Sequence, residues 1–221
     1  MARMMGMDRQ FGLLTGAAVA ICGASAAMAM SAVLPKHADS DRDIIFTVVG
    51  VTVLSTVAMV VYPIIVALLK LDNSLAGIFL GATIHDVAQV VGAGYMVSEQ
   101  SGDIATLIKL MRVAMLVPII FLVVLLFKNN SRELDLKKTI PFFLVGFIIL
   151  MLAANLLAIP NVLVEQTIGF SRWCLLVAVA SLGMKTSLKQ LAKVGPKAIS
   201  LIIVETLFLA TMVLLVTRFF W

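Results

Sequence analysis

Charge is scarce in this sequence. Only 13% of its residues are charged against 62% hydrophobic, and the mean hydropathy is +1.10. That balance excludes a soluble globular domain, where about a quarter of residues are charged. Cysteine is scarce too, with Cys22 and Cys174 the only two. Both fall in apolar stretches, where a thiol acts as a small hydrophobe, so neither a disulfide nor a metal site is expected. CxxC, HExxH, GxSxG and a phosphate-binding glycine loop are all missing. With them go the common signatures of redox, metalloprotease, serine-hydrolase and nucleotide chemistry. The expectation is a protein that is not an enzyme and has no cofactor.

What the chain has instead is long unbroken apolar runs. A membrane barrel would show strands of about ten residues alternating apolar and polar, and no such alternation is present. The expected fold is all-α, a polytopic helical membrane protein with one membrane domain over residues 1–221. Seven segments approach the roughly 20 apolar residues needed to cross the hydrocarbon. They are 12–34, 44–69, 75–97, 104–127, 140–159, 168–187 and 198–220. The second, fourth, fifth and seventh are rich in Val, Leu, Ile and Phe. The first, third and sixth are rich in Gly, Ala, Ser or Thr, which suits tight packing or a helix interrupted where backbone lines a cavity.

If all seven cross, eleven of the 17 Lys and Arg lie on the side of Arg3 and Arg9, and four lie opposite. The remaining two, Lys109 and Arg112, fall inside the fourth span. Positive charge marks the cytoplasmic face, so the N-terminus is expected in the cytoplasm and the C-terminus outside. The net charge of +5 is then a matter of topology and lipid headgroups, and no nucleic-acid partner is expected. Lys185, Lys189, Lys193 and Lys197 form a basic stripe that fits the same role.

Two spans share a local pattern. Ala18-Val19-Ala20-Ile21-Cys22-Gly23 aligns with Ala178-Val179-Ala180-Ser181-Leu182-Gly183 at four of six positions, glycine on glycine. The segments are five spans apart, an odd number, and so cross in opposite directions. Inverted repeats with interrupted helices at matching places characterise a class of secondary transporter. In a five-span unit, 12–69 would be the end of the first repeat and 75–220 the second, in a ten-span fold that has three further spans ahead of Met1.

GLLTGAAVAICGASAA, GATIHDVAQVVGAG and VASLGMKTSLKQL together resemble the YeiH-type family of bacterial inner-membrane proteins, described as sulfate exporters. The resemblance runs over essentially the whole chain. It implies a protein of about ten spans, distantly similar to bile acid:sodium symporters and auxin carriers, in which two broken helices cross near the midplane. It also implies about a hundred further N-terminal residues and a small-anion substrate.

An ionisable group near the bilayer centre costs at least ~2.5 kcal/mol, so each one needs a partner or a wet cavity. On helical spacing His85 and Gln89 share a face with Asp86 beside it, and Thr83 to Gln89 form a polar band. The band is either an interhelical hydrogen-bond cluster or a substrate or proton site, since histidine changes charge near neutral pH. Helix breaks are expected at Gly23-Ala24-Ser25 and Ser181-Leu182-Gly183, where a new helix N-terminus can receive an oxyanion. The candidate substrate site is Gly23, Ser25, Thr83, His85, Asp86, Gln89, Ser181 and Gly183. Candidates for coupling to H⁺ or Na⁺ are His85, Asp86 and Glu205. Arg112 and Asn155 are expected in support, Arg112 by pairing with Asp86 or Glu205 or by attracting an anion. Lys109 is expected to snorkel to the interface. The alternatives are a non-transporting or split-transporter subunit that assembles with another chain or a second copy, and an intramembrane hydrolase using Ser25 or Ser181 with His85.

Overall fold

The computed structural model describes residues 1–35, 37–126 and 196–220, with a few isolated helical positions between 149 and 177. Among the described residues the chain is all-α. Helices are labelled in the order of the described chain, beginning with a short 3₁₀ turn at Ala2–Met5.

The first span is two helices. α1 (Arg9–Ala20) starts at Asp8, whose carboxylate accepts from the Arg9 and Gln10 N–H groups at 2.7 and 3.3 Å. It stops at Ile21, and α2 (Ala24–Val33) begins after Gly23. Gly23 has φ 67° and ψ −123°, a conformation that residues with a Cβ adopt only under strain. Helices of 12 and 10 residues are about 18 and 15 Å long. Together they match the roughly 30 Å of hydrocarbon, which puts the break near the midplane.

α3 (Ser40–Leu68) is uninterrupted despite Pro63. Its Thr47, Thr52 and Thr56 hydroxyls bond to the carbonyls four residues back at 2.7–3.0 Å, the usual way an apolar helix satisfies a hydroxyl. The third span, 75–97, is again two helices: α4 (Asn73–Thr83), capped by Asp72, and α5 (Val87–Val97), capped by Asp86. This overturns the helical-spacing argument for the polar band. His85 and Asp86 lie in the break itself and share no helix face with Gln89.

α6 (Glu99–Ala114) turns at Met115 into α7 (Leu116–Leu126), and α8 is Pro196–Phe220. Ser40–Leu68, Glu99–Val123 and Ala198–Phe219 are each long and apolar enough to cross a membrane. Both halves of the second broken span pack on α6 through glycine. A Cβ on Gly81 would stand 2.5 Å from the Ala105 carbonyl oxygen, and one on Gly94 would stand 2.9 Å from the Gly102 Cα. Small residues let backbones approach this closely where lipid offers no hydrophobic drive.

Two apolar clusters flank the breaks. Leu14, Ala18, Ile21, Ala26, Val51 and Leu116 surround the first, and Phe79, Leu80, Ile84, Val90 and Ala105 surround the second. The spans expected at 140–159 and 168–187, with Asn155, Ser181 and Gly183, lie outside the described residues, as do Lys185, Lys189 and Lys193.

Candidate functional site

The two breaks meet. A Cβ on Gly23 would lie 3.5 Å from His85 Cβ and 3.8 Å from the His85 carbonyl oxygen, so the left-handed turn of one broken span rests on the break of the other. Each break strands carbonyls at the end of its first helix and N–H groups at the start of its second. The protein answers these two problems with different residues.

The carbonyl ends are held by α6. Lys109, wholly buried, donates from Nζ to the Ile21 carbonyl at 2.8 Å and to the Ile84 carbonyl at 2.9 Å. One ammonium thus ties both breaks together. One turn on, Arg112 donates to Val19 and Ala20 of α1 (Nη2, 3.0 and 2.6 Å) and to Gly81 of α4 (Nη1, 3.3 Å). Cations at helix C-termini are favoured by the peptide dipoles. Lys109 therefore does not snorkel, because two buried carbonyls offer its ammonium what the interface would. Among the described residues Arg112 makes no carboxylate pair, because the chain ends of α1 and α4 take up its donors.

The amide ends differ from each other. At α5, Asp86 accepts from the Ala88 and Gln89 N–H groups at 2.9 and 3.4 Å, while its own N–H donates to the Ser55 hydroxyl of α3 at 3.0 Å. At α2 the capping position is Gly23, and no side chain caps the first turn, where Ser25 is exposed. Gln89 Nε2 donates to the Thr56 hydroxyl at 2.9 Å. Thr83 spends its hydroxyl on the Phe79 carbonyl of its own helix at 2.6 Å, so it closes α4 and takes no part in the crossing.

α8 completes the arrangement. His85 Nε2 lies 3.0 Å from the Thr206 hydroxyl, and His85 Nδ1 is buried without a hydrogen-bond partner among the described residues. The neighbouring Glu205 accepts from the Thr15 hydroxyl of α1 at 3.2 Å. No group of three His, Cys, Asp or Glu gathers around one point among the described residues. Away from the crossing, a small cleft between α1, α2 and the start of α3 is lined by Gln10, Ser31, His37, Ser40 and Asp43, with His37 Nε2 3.6 Å from Asp43 Oδ2.

The whole chain has relatives. A family model described as conserved hypothetical protein 698 matches residues 1–202. A UPF0324 membrane protein of Chlorobaculum tepidum is 51% identical over 97% of this chain and 61% of its own length. The UPF0324 membrane protein TauZ of Paracoccus denitrificans is 48% identical over 96% of this chain and 64% of its own. The chain belongs to the UPF0324 membrane protein family. It spans a little under two thirds of the length of these relatives. No solved structure matches it. The UPF0324 relatives are named as membrane proteins, in agreement with the apolar helices.

Of the expected site residues, Gly23 and His85 are brought together, and Asp86 and Gln89 follow at the start of α5; Ser25 is exposed in the first turn of α2, Arg112 holds backbone carbonyls, and Glu205 reaches Thr15 of α1. Sequence reasoning missed Ser55, Thr56, Lys109 as a clamp, Thr206 and Thr15. Ser55-Thr56 and Glu205-Thr206 are adjacent polar pairs inside otherwise apolar runs, and that was the available signal.

Proposed function

We propose that this protein is a secondary transporter of a small oxyanion, of the kind handled by a sulfate exporter, which it binds where the two breaks meet. The observation that carries this reading is the first turn of α2, which no described side chain caps, set in a crossing whose charge is positive among the described residues. Lys109 and Arg112 contribute two positive charges and Asp86 one negative. The carbonyl ends of α1 and α4 and the amide ends of α2 and α5, at about half a charge each, offset one another. One positive charge is left for an anion to meet near the midplane, beside amides suited to receive it. His85, whose Cβ and carbonyl oxygen lie beside Gly23, adds a buried Nδ1 that has no hydrogen-bond partner among the described residues. We take the N-terminus as cytoplasmic, from the distribution of Lys and Arg.

We read it as a carrier rather than a hydrolase, since among the described residues the imidazole engages Thr206 and not Ser25; Ser181 lies outside them. The test is uptake of radiolabelled sulfate into liposomes containing the purified protein. The reading expects saturable uptake that His85→Ala abolishes while the variant still elutes as a folded species. Undiminished uptake by folded His85→Ala would leave the imidazole a packing role, and no uptake by the unaltered protein under any ion gradient would sink the carrier itself.

A further inference from the structure

Glu205 stands apart from every other described carboxylate. Asp8, Asp72 and Asp86 cap helices; Asp39, Asp41, Asp43, Glu99 and Asp103 lie at or near helix starts. Glu205 is well inside α8, in the run SLIIVETLFLA. Its Oε1 accepts from Thr15, and its Oε2 is buried with no partner among the described residues. No ion pair reaches it among those residues. A carboxylate this deep, with one hydroxyl for company, lacks the partners that hold buried charge.

Its position links it to the crossing by two short routes. Thr206, the next residue, bonds His85. On the other side, Glu205 Oε1 lies 4.0 Å from where a Cβ on Gly16 would be, and Gly16 is one turn before Ala20, whose carbonyl holds Arg112. Among the described residues, the charged or titratable groups near Glu205 are few: the chain's amino group near the start of α1, and His85, which bonds the adjacent Thr206. α1 offers Thr15, and α4 carries no ionisable side chain. α3 packs Gly50 against Ile202 of α8, and its ionisable residues Asp41, Arg42, Asp43 and Tyr62 make no hydrogen bond or ion pair with Glu205.

We propose that Glu205 is the proton site coupled to the anion at the crossing. This rests on the carrier reading above. With the crossing empty, the surplus positive charge of Lys109 and Arg112 over Asp86 offsets the cost of ionising Glu205. A bound oxyanion cancels that surplus and repels the carboxylate, which then takes a proton from water onto a carboxyl oxygen. An O–H bond forms, no electrons are transferred, and the proton leaves when the anion does. Binding of anion and proton are reciprocally linked.

The experiment is sulfate binding to the purified full chain in mild detergent, measured by calorimetry between pH 5 and 9 in buffers of different ionisation enthalpy. The proposal expects uptake of about one proton per sulfate and an affinity that falls up to about tenfold per pH unit on the alkaline side. Glu205→Gln should bind sulfate with no proton uptake and a flat pH profile, and Glu205→Asp should keep the slope. A persistent slope in Glu205→Gln would overturn the proposal and move the proton to His85. Sulfate binding by the unaltered protein without proton uptake, or with a requirement for sodium, would also overturn it. If Glu205→Gln does not fold, a flat profile in folded Glu205→Asp counts against the proposal and a retained slope supports it. Absence of any sulfate binding by the unaltered protein would remove the sulfate reading on which the proposal stands.

Discussion

The two breaks solve one physical problem in opposite ways. At Ile84–Asp86 a carboxylate from the chain itself occupies the helix N-terminus and a serine of α3 holds the backbone behind it. At Ile21–Gly23 the same position is a glycine with no side chain to offer. One break carries its own anion, and the other leaves the place of an anion open. The difference also shows what is shared: both sets of carbonyl ends depend on the same two cations of α6. The breaks are joined through the carbonyls and distinguished through the amides.

The strongest way to break this comparison is at Lys109, where both breaks should fail together. Lys109→Met removes two hydrogen bonds at once and strands buried carbonyls at about 1–3 kcal/mol each, offset in part because the variant no longer buries a charge. We expect the largest loss of thermal stability here, read as a lower melting midpoint by size-exclusion chromatography after heating. A variant as stable as the unaltered protein would show that the two breaks do not share a post. Gly23→Ala comes next and touches one break only. Its added Cβ meets His85 and Val51 at ordinary contact distances of 3.5 and 3.6 Å, so the cost is backbone strain of about 1–3 kcal/mol. Sulfate binding should weaken more than stability falls, because the turn that aims the α2 amides is what changes.

Much of this was legible in the sequence, though unevenly. The all-α membrane fold followed from composition and run length, and the Gly23 break from a glycine in a small-residue segment. The second break was harder. It contains no glycine, so the run GATIHDVAQ reads as continuous helix, and its cue was Asp86 standing as an N-cap before Val87, a pattern obscured by placing His85 and Gln89 on one helical face. Lys109 was misread for a related reason. The general tendency of lysine to reach for water assumes that nothing inside competes, and two stranded carbonyls do compete. They belong to residues 88 and 25 positions away, which no local pattern reveals. Thr206 and Ser55 were marked only as members of adjacent polar pairs, since the partner of each lies far away in the chain.

Asp86 gives the finest test, because its cap and its charge can be separated. Asparagine caps about as well as aspartate, whereas alanine costs about 1 kcal/mol. Asp86→Ala should therefore lower stability by about that amount and Asp86→Asn by far less. The charge, in contrast, is lost in both. If Asp86 serves as the built-in counterpart of a substrate anion, either variant makes the crossing more positive by one unit, and sulfate should bind several-fold more tightly in both, with the gain shrinking as salt is raised. Equal sulfate affinity in the unaltered protein and Asp86→Asn would mean that the carboxylate acts on its own helix alone. The contrast between an occupied and an open helix terminus would then be one of capping chemistry, with no bearing on the anion.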